Sequence, residues 1–469
     1  MSTDRWSRAT PGDDASWSGS QSRDEHHTRL RRGVRELADA VPVPDVGPAG
    51  LRAAAARRRA RQRPERRWLP AVAAAASTLV ALAVGLLPPM LDRGAEPGAD
   101  TDVAVLPKTF ADHSNLTAHV SADPPGPAVA VYSYGQGDFP TRTAQVLVVG
   151  IDGRTYRQLD AAAGPGTGYA GSADSAATLL SPDGTKVAVG DSPDRVAVVD
   201  LVTGETRRYP VDGTARQFLA WSPDSRRLLY LALPRLPDGF EEPREGEPVL
   251  LDLASGSRTA IPGQRGTVDA AFSPDGLRLA FQRYGELRIV RSDGTVERTV
   301  PVPDRHRLAG AAAWSPDGTR LALYRMGESG IPGTPAPVYG LPGVGFPDGL
   351  AVLDLAGGGT RALDAPVNLR ELLGWREDRM LVDYWDTIVQ VPVAGGPAEP
   401  LSTLQPGDDH FIVDVQLATG LLPTVEVREA DVDRGPWPVW LRLLVAAGAL
   451  LTGWLALLLI RCRKAPARP

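Results

Sequence analysis

The tetrad Ser-Pro-Asp-Gly recurs through the middle of the chain, each time behind an aromatic residue or leucine and ahead of an alternating apolar run. It stands at Ser181 to Gly184 after Leu180, at Ser273 to Gly276 after Phe272, and at Ser315 to Gly318 after Trp314. A near copy follows Trp221 (Ser222-Pro223-Asp224-Ser225), and a degenerate one follows Trp375 (Arg376-Glu377-Asp378-Arg379). The motif has a local reason. Serine suits the first position of a type I turn, proline presets the second, and glycine suits the fourth. The pre-turn residues 180, 221, 272, 314 and 375 are separated by 41, 51, 42 and 61 residues. A period of about 40–45 residues is that of a four-stranded propeller blade.

Each turn leads into a half-buried strand, such as Arg278-Leu279-Ala280-Phe281 or Arg320-Leu321-Ala322-Leu323. A second hairpin follows, as where Arg195 to Leu201 turns at Thr203-Gly204 and returns through Tyr209. The unit is therefore a four-stranded antiparallel meander. The surplus in the two long intervals lies in Pro/Gly-rich insertions, Pro234 to Pro248 and Met326 to Gly349, between the second and third strands of their blades. A blade without the tetrad, Ala128 to Leu159, carries a shorter insertion at the same place, Gly135 to Ala144. Small blades cover one another's faces only when arranged radially. The expected fold is all-β: a propeller over residues 110–432 with six blades, a seventh remaining open. Phe411 to Leu417 and Thr424 to Val427 are both candidates to close the ring.

The aromatic-SPDG turn, the Leu-Ala-Phe-like strand and a following Val-Leu-Asp-Leu-like strand together resemble the WD40-like, TolB-type propeller repeats of bacteria. The resemblance spans roughly Ala128 to Leu401. It implies a fold and leaves the task open, because such propellers serve unrelated functions.

Two segments do not fit a propeller of short strands. Trp68 to Leu91 carries no charge, and Leu443 to Ile460 is an uncharged run whose helical length would be about 27 Å, near the hydrocarbon thickness of a bilayer. Trp437 and Trp440 stand where an aromatic belt would lie. The expected organisation is a cytoplasmic arm (1–67), a transmembrane helix (68–91), a linker (92–109), the propeller, a second transmembrane helix (437–460) and a basic tail (461–469). Arginines crowd the membrane-proximal side of both spans, from Arg52 to Arg67 and at Arg461, Arg463, Lys464 and Arg468. The positive-inside rule then puts both termini in the cytoplasm and the propeller outside the plasma membrane of a bacterium. The formal charge of −5 divides accordingly. Residues 1–67 hold 15 Arg against 9 Asp and Glu, Arg442 adds one positive charge and 461–469 add four, which leaves −16 for residues 92–436. Such an acidic domain excludes nucleic acid as a natural partner. The single cysteine, Cys462, excludes an internal disulfide.

The arm reads as disordered over 1–25, with a short amphipathic helix from His27 to Ala40 and an Ala/Arg-rich one from Leu51 to Arg63. Its Arg35 to Pro44 stretch, followed by the Ala/Arg run into the membrane, is similar to the N-terminal tails of actinobacterial membrane proteins found with extracytoplasmic-function sigma factors. That resemblance implies a cytoplasmic protein partner for residues 27–63. The alternative is a basic tail that sets topology and touches anionic lipid.

No catalytic pattern emerges. His113 and His119 are six apart, off any metal-ligand spacing, and neither HExxH, GxSxG nor a CxxC pair is present. Gly166 to Gly171 matches GxGxxG but links antiparallel blades and opens no βαβ unit. The repeated Asp183, Asp224, Asp275 and Asp317 read as turn structure, since radial symmetry keeps them apart. No cofactor and no metal are expected. The long loops should share one face of the ring, and Phe139, Arg235, Phe240, Tyr339 and Phe346 are the side chains on them best able to anchor a protein, peptide or envelope polymer. The first functional expectation is a non-enzymatic, membrane-anchored binding or scaffold module. The second is a transmembrane signalling regulator, anti-sigma-factor-like, whose propeller senses the envelope while the arm contacts a cytoplasmic partner.

Overall fold

The computed structural model describes residues 103–464, apart from 113, 135–144, 164–176, 193–194, 212–215, 233–245, 284, 328–346, 368, 405–411 and 438. The described residues 103–451 belong to one compact unit and 452–464 to another.

Among the described residues of the larger unit, the strands form six blades. Blades 2 to 5 each run in chain order: Thr178–Leu180 through Thr206–Pro210, Arg216–Trp221 through Arg258–Ala260, Asp269–Phe272 through Val296–Pro301, and His306–Leu308 through Thr360–Ala362. Blade 6 spans Glu371–Arg376 to Glu399–Leu404. The first strands of blades 6, 1, 2, 3 and 4 touch in succession, as strands lining the ring's centre would.

Blade 1 closes the ring. Its second, third and fourth strands are Ala128–Tyr134, Gln145–Gly150 and Tyr156–Gln158, and its inner strand is supplied from the far end of the chain by Ile412–Leu417, antiparallel to Ala128–Tyr134. The closure left open by the sequence is thus made by the first of its two candidates. The second, Glu426–Arg428, pairs in parallel with Val105–Pro107. Thr109–Phe110 adds a fifth, parallel strand at the outer edge of blade 6. Val105–Pro107 and Thr109, expected in the linker 92–109, are strand residues, as is Phe110 at the expected start of the propeller, because they find free backbone edges to pair with.

The core lies between blades. One buried cluster spans blades 4 to 6 and others fill the remaining junctions. The middle strands Ala128–Tyr134 and Gln145–Gly150 are buried along their whole length, whereas the outer strand Arg258–Ala260 is exposed throughout. Each fully buried Val or Leu contributes about 1.5–3 kcal/mol, which no blade gains alone.

The expected span 68–91, the arm and its helices lie outside the described residues. A helix forms at Val439–Lys464, where the second span was expected. Its described side chains include exposed Leu443, Leu444, Leu450, Leu451 and Trp454. Among the described residues no helix is long and apolar enough to cross a membrane.

Candidate functional site

The repeat turns build one end of the central channel. In each tetrad the glycine-position N–H donates to the serine carbonyl, at 2.8–2.9 Å in all four copies. The serine Oγ accepts from the N–H of the next strand's first residue and donates to the aspartate, as in Arg278 N to Ser273 Oγ at 3.0 Å and Ser273 Oγ to Asp275 Oδ1 at 2.5 Å. The same aspartate oxygen accepts from Leu277 N at 3.0 Å. Asp183, Asp224 and Asp317 make equivalent bonds in their own turns. Each carboxylate is spent on its hairpin, and the prolines are left to face outward.

Behind the turns, aromatic side chains tie neighbouring blades together. Trp221 Nε1 donates to Leu179 O at 3.0 Å, Trp314 Nε1 to Ala271 O at 3.1 Å, and Trp375 Nε1 to Ala312 O at 2.9 Å. Gln416 does this for the closing blade, accepting from Leu180 N at 2.7 Å and donating to Thr178 O at 2.9 Å. The guanidinium of Arg227 lies 5.8 Å from the Phe272 ring and that of Arg278 lies 5.3 Å from Trp314.

These groups enclose a cavity of about 250 Å3, floored by Trp221, Phe272, Trp314 and Trp375 and rimmed by the turn prolines. A second cavity of about 70 Å3 shares Pro182, Trp221, Ala311, Ala312 and Thr419 with the first and reaches Glu371 and Gln416. Two irregular strands shape it. The inner strand of blade 5 loops out at Gly310 to Ala312 before Trp314 resumes pairing with Leu321, and Asp414 sits at a bulge with φ +52°.

Charge gathers at the start of the inner strands. Arg307 Nη2 contacts Asp269 Oδ2 at 3.3 Å, and Arg370 Nε lies 3.8 Å from Asp383 Oδ2. Arg370 Nη1 also donates to Ile412 O at 2.6 Å, across the closing junction. Glu371 pairs in register with Asp383. Glu371 is an exposed residue that lines the smaller cavity from the channel wall, although protein atoms crowd its carboxyl. Burial, reinforced by the negative charges of Asp414, Asp383 and Asp269 and opposed by Arg370, pushes Glu371 up to about 8. Burial also lifts Asp383 to about 7, against Arg370 and with the help of Asp414. Tyr324 Oη accepts from Leu372 N at 2.7 Å beside them. Among the described residues no three His, Cys, Asp or Glu side chains are grouped to hold a metal ion.

Phe139, Arg235, Phe240, Tyr339 and Phe346, expected on the loop face, lie outside the described residues, as do His113 and Gly166 to Gly171. The charged cluster was not anticipated. Its only trace in the sequence is a lone carboxylate three or four positions before a pre-turn residue, Asp269 before Phe272 and Glu371 before Trp375; Asp414 precedes Leu417, which no tetrad follows.

No protein-family model matches the chain, and no curated protein does. Among solved structures, TolB from Acinetobacter baumannii aligns at 17% identity with a TM-score of 0.34 over 58% of this chain, and the match spans 65% of that chain, just under two thirds. A chain of the mitotic checkpoint complex aligns at 15% identity and 0.39 over 67% of this chain and 86% of its own. The β-propeller domain of Cps50 (Swd1) from Myceliophteria thermophila aligns at 16% and 0.32 over 46% and 64%. At such values these likenesses assign no family and no task.

Proposed function

We propose that this chain is a non-enzymatic, membrane-anchored binding module that holds its propeller outside a bacterial plasma membrane and captures a protein, peptide or envelope polymer in the central channel. The observation that carries the reading is the cavity of about 250 Å3, with an aromatic floor and a rim of turn prolines of which Pro274 and Pro316 are exposed. Concave, mostly apolar sites with a few convergent polar groups are where propellers and other scaffolds take ligands. The anchoring is supported by the two uncharged runs, by their arginine flanks and by the acidic charge of residues 92–436.

Two measurements test it. Pro274 and Pro316 are exposed, so Pro274→Asp with Pro316→Asp should leave the fold intact. The doubly substituted full chain, in nanodiscs, should lose the envelope partner that the parent chain captures, read by mass spectrometry. Identical spectra from the two would remove the channel from the function. Protease added to whole cells should release the propeller from them and leave residues 1–67 uncut; the reverse pattern would overturn the proposed orientation.

A further inference from the structure

Where the inner strand of blade 5 loops out, its backbone amides divide into two that are spent and two that are not. The Gly310 N–H donates to the Asp269 carboxylate, and Ala313 N donates to Gly310 O at 3.2 Å, which closes a four-residue turn. The amides of Ala311 and Ala312, in the middle of that turn, have no partner among the described residues. Both residues line the larger cavity and the smaller one; Ala311 is exposed and Ala312 half-buried. Successive unpaired N–H groups of a turn form a concavity that takes an acceptor oxygen. Thr419, in the turn after the closing strand Ile412–Leu417, also lines both cavities, and its hydroxyl has no partner among the described residues. The aromatic floor offers apolar surface and room but no hydrogen bond, because the indole N–H groups of Trp221, Trp314 and Trp375 are spent on neighbouring blades. A glycan's hydroxyl groups would find neither donor nor acceptor on it. An apolar cavity of roughly 150 Å3 admits benzene, so one of about 250 Å3 holds a bulky aromatic side chain. Among the described residues no lysine or arginine lines either cavity, and the ionisable group that does is the acid Glu371. A free carboxylate meets no cation there, and a neutral carbonyl is the acceptor that fits.

We propose that the amides of Ala311 and Ala312, with the Thr419 hydroxyl, hold a main-chain carbonyl of an extended peptide while a neighbouring aromatic side chain of that peptide enters the cavity over Trp221, Phe272 and Trp314. This rests on the binding reading and names the chemistry of its ligand. The amides orient the peptide, and the cavity selects the side chain. A peptide with alanine at that position gains only the first contribution.

The test uses the full chain in nanodiscs at neutral pH and dye-labelled, N-acetylated random hexapeptide pools, read by fluorescence anisotropy. One pool carries a fixed central phenylalanine and a C-terminal amide. A second replaces that phenylalanine by alanine. A third ends in phenylalanine with a free carboxylate. A labelled tetramer of N-acetylglucosamine is the fourth probe. The first pool should bind at least about tenfold more tightly than the second and no less tightly than the third. Ala311 holds the second position of its turn and has no left-handed backbone, so Ala311→Pro suits the turn while removing one donor. It should weaken the first pool about fivefold, whereas Ala311→Val, of similar bulk and with its N–H intact, should stay within about twofold of the parent. Thr419→Val keeps the wall's shape, removes the hydroxyl and should act in the same direction as Ala311→Pro; it carries the test if calorimetry finds the proline variant unfolded. Equal binding of the first two pools overturns the aromatic selection. Equal loss in Ala311→Pro and Ala311→Val, or no loss in either Ala311→Pro or Thr419→Val, overturns the amide clamp. Preference for the third pool overturns the neutral carbonyl. Binding of the sugar tetramer alone, or of no probe while the parent chain still captures a partner, overturns the peptide ligand and leaves the binding module standing. No probe bound and no partner captured overturns both.

Discussion

One residue position separates the repeats energetically. The fourth position of each tetrad has a left-handed backbone: Gly184 at φ +70°, Ser225 at +56°, Gly276 at +69° and Gly318 at +68°. Ser225 shows that a side chain is tolerated there when there is room, and its hydroxyl accepts from Asp183 N at 3.2 Å. At Gly184 there is none, since a Cβ would sit 2.1 Å from the Ala128 carbonyl oxygen. Gly276→Ala should therefore cost about 1–2 kcal/mol of backbone strain, while Gly184→Ala should cost more than about 3 kcal/mol, as read by urea denaturation. Titration also divides by position. Hydrogen bonds from Ser273 and Ser315 hold Asp275 and Asp317 below the usual carboxylate range. Their contribution is complete above pH about 4 and drains as the pH falls through the lower folded value. Glu371 runs the other way. Its folded value of about 8 lies above the unfolded one, so the folded state keeps a proton that the unfolded chain releases, and stability falls as pH rises from about 4 to about 8. Glu371→Gln should raise Tm at about pH 8.5 and by much less at about pH 5, measured by calorimetry. An equal shift at both would mean that the carboxyl titrates normally.

At the scale of elements, the hairpins were legible in the sequence because every turn carries its own chemistry. The Ser-Pro-Asp-Gly bonds are local, so Leu277 and Arg278 report the same geometry that Ser273 and Asp275 dictate. The strap beside blade 1, formed by residues 111–123 (113 aside) with Asp433 and Arg434, was not legible, because its bonds reach across the chain. Arg157, 5% exposed, donates to the carbonyls of Asp123 and Asp433 and pairs with both carboxylates, at 2.7 and 3.3 Å. Arg434 binds the Asp112 carbonyl, and Tyr132 Oη donates to Ala111 O at 2.6 Å. Nothing in an isolated Arg-Gln or Asp-Arg pair announces such partners hundreds of residues away. Arg157→Ala should orphan two carbonyls and cost about 2–4 kcal/mol, and Arg157→Lys should recover only part, because an ammonium lacks the fork that reaches both segments. Hydrogen exchange at Ala118, Tyr156 and Gln158, whose amides bond within the strap, should rise first.

For the molecule as a whole, the blade count followed from the repeat period, but the channel's charge did not. Asp269, Glu371, Asp383 and Asp414 meet only because the ring returns on itself, and Ile412–Leu417 lacks a following tetrad to mark it as an inner strand. A chain ending at residue 404 should leave the Ala128–Tyr134 edge unpaired and fail to give a protease-resistant ring, whereas one ending at 436 should give it. Limited proteolysis separates the two. The parallel pairing of Val105–Pro107 with Glu426–Arg428 has a mechanical consequence. The chain enters the first strand and leaves the second at opposite ends of that pair. Tension drawn through the two flanking segments therefore slides the strands lengthwise and loads their bonds together, where a hairpin would unzip them one at a time. A filament tugging on both tethers would meet its greatest resistance at this short clasp, before any blade is asked to yield.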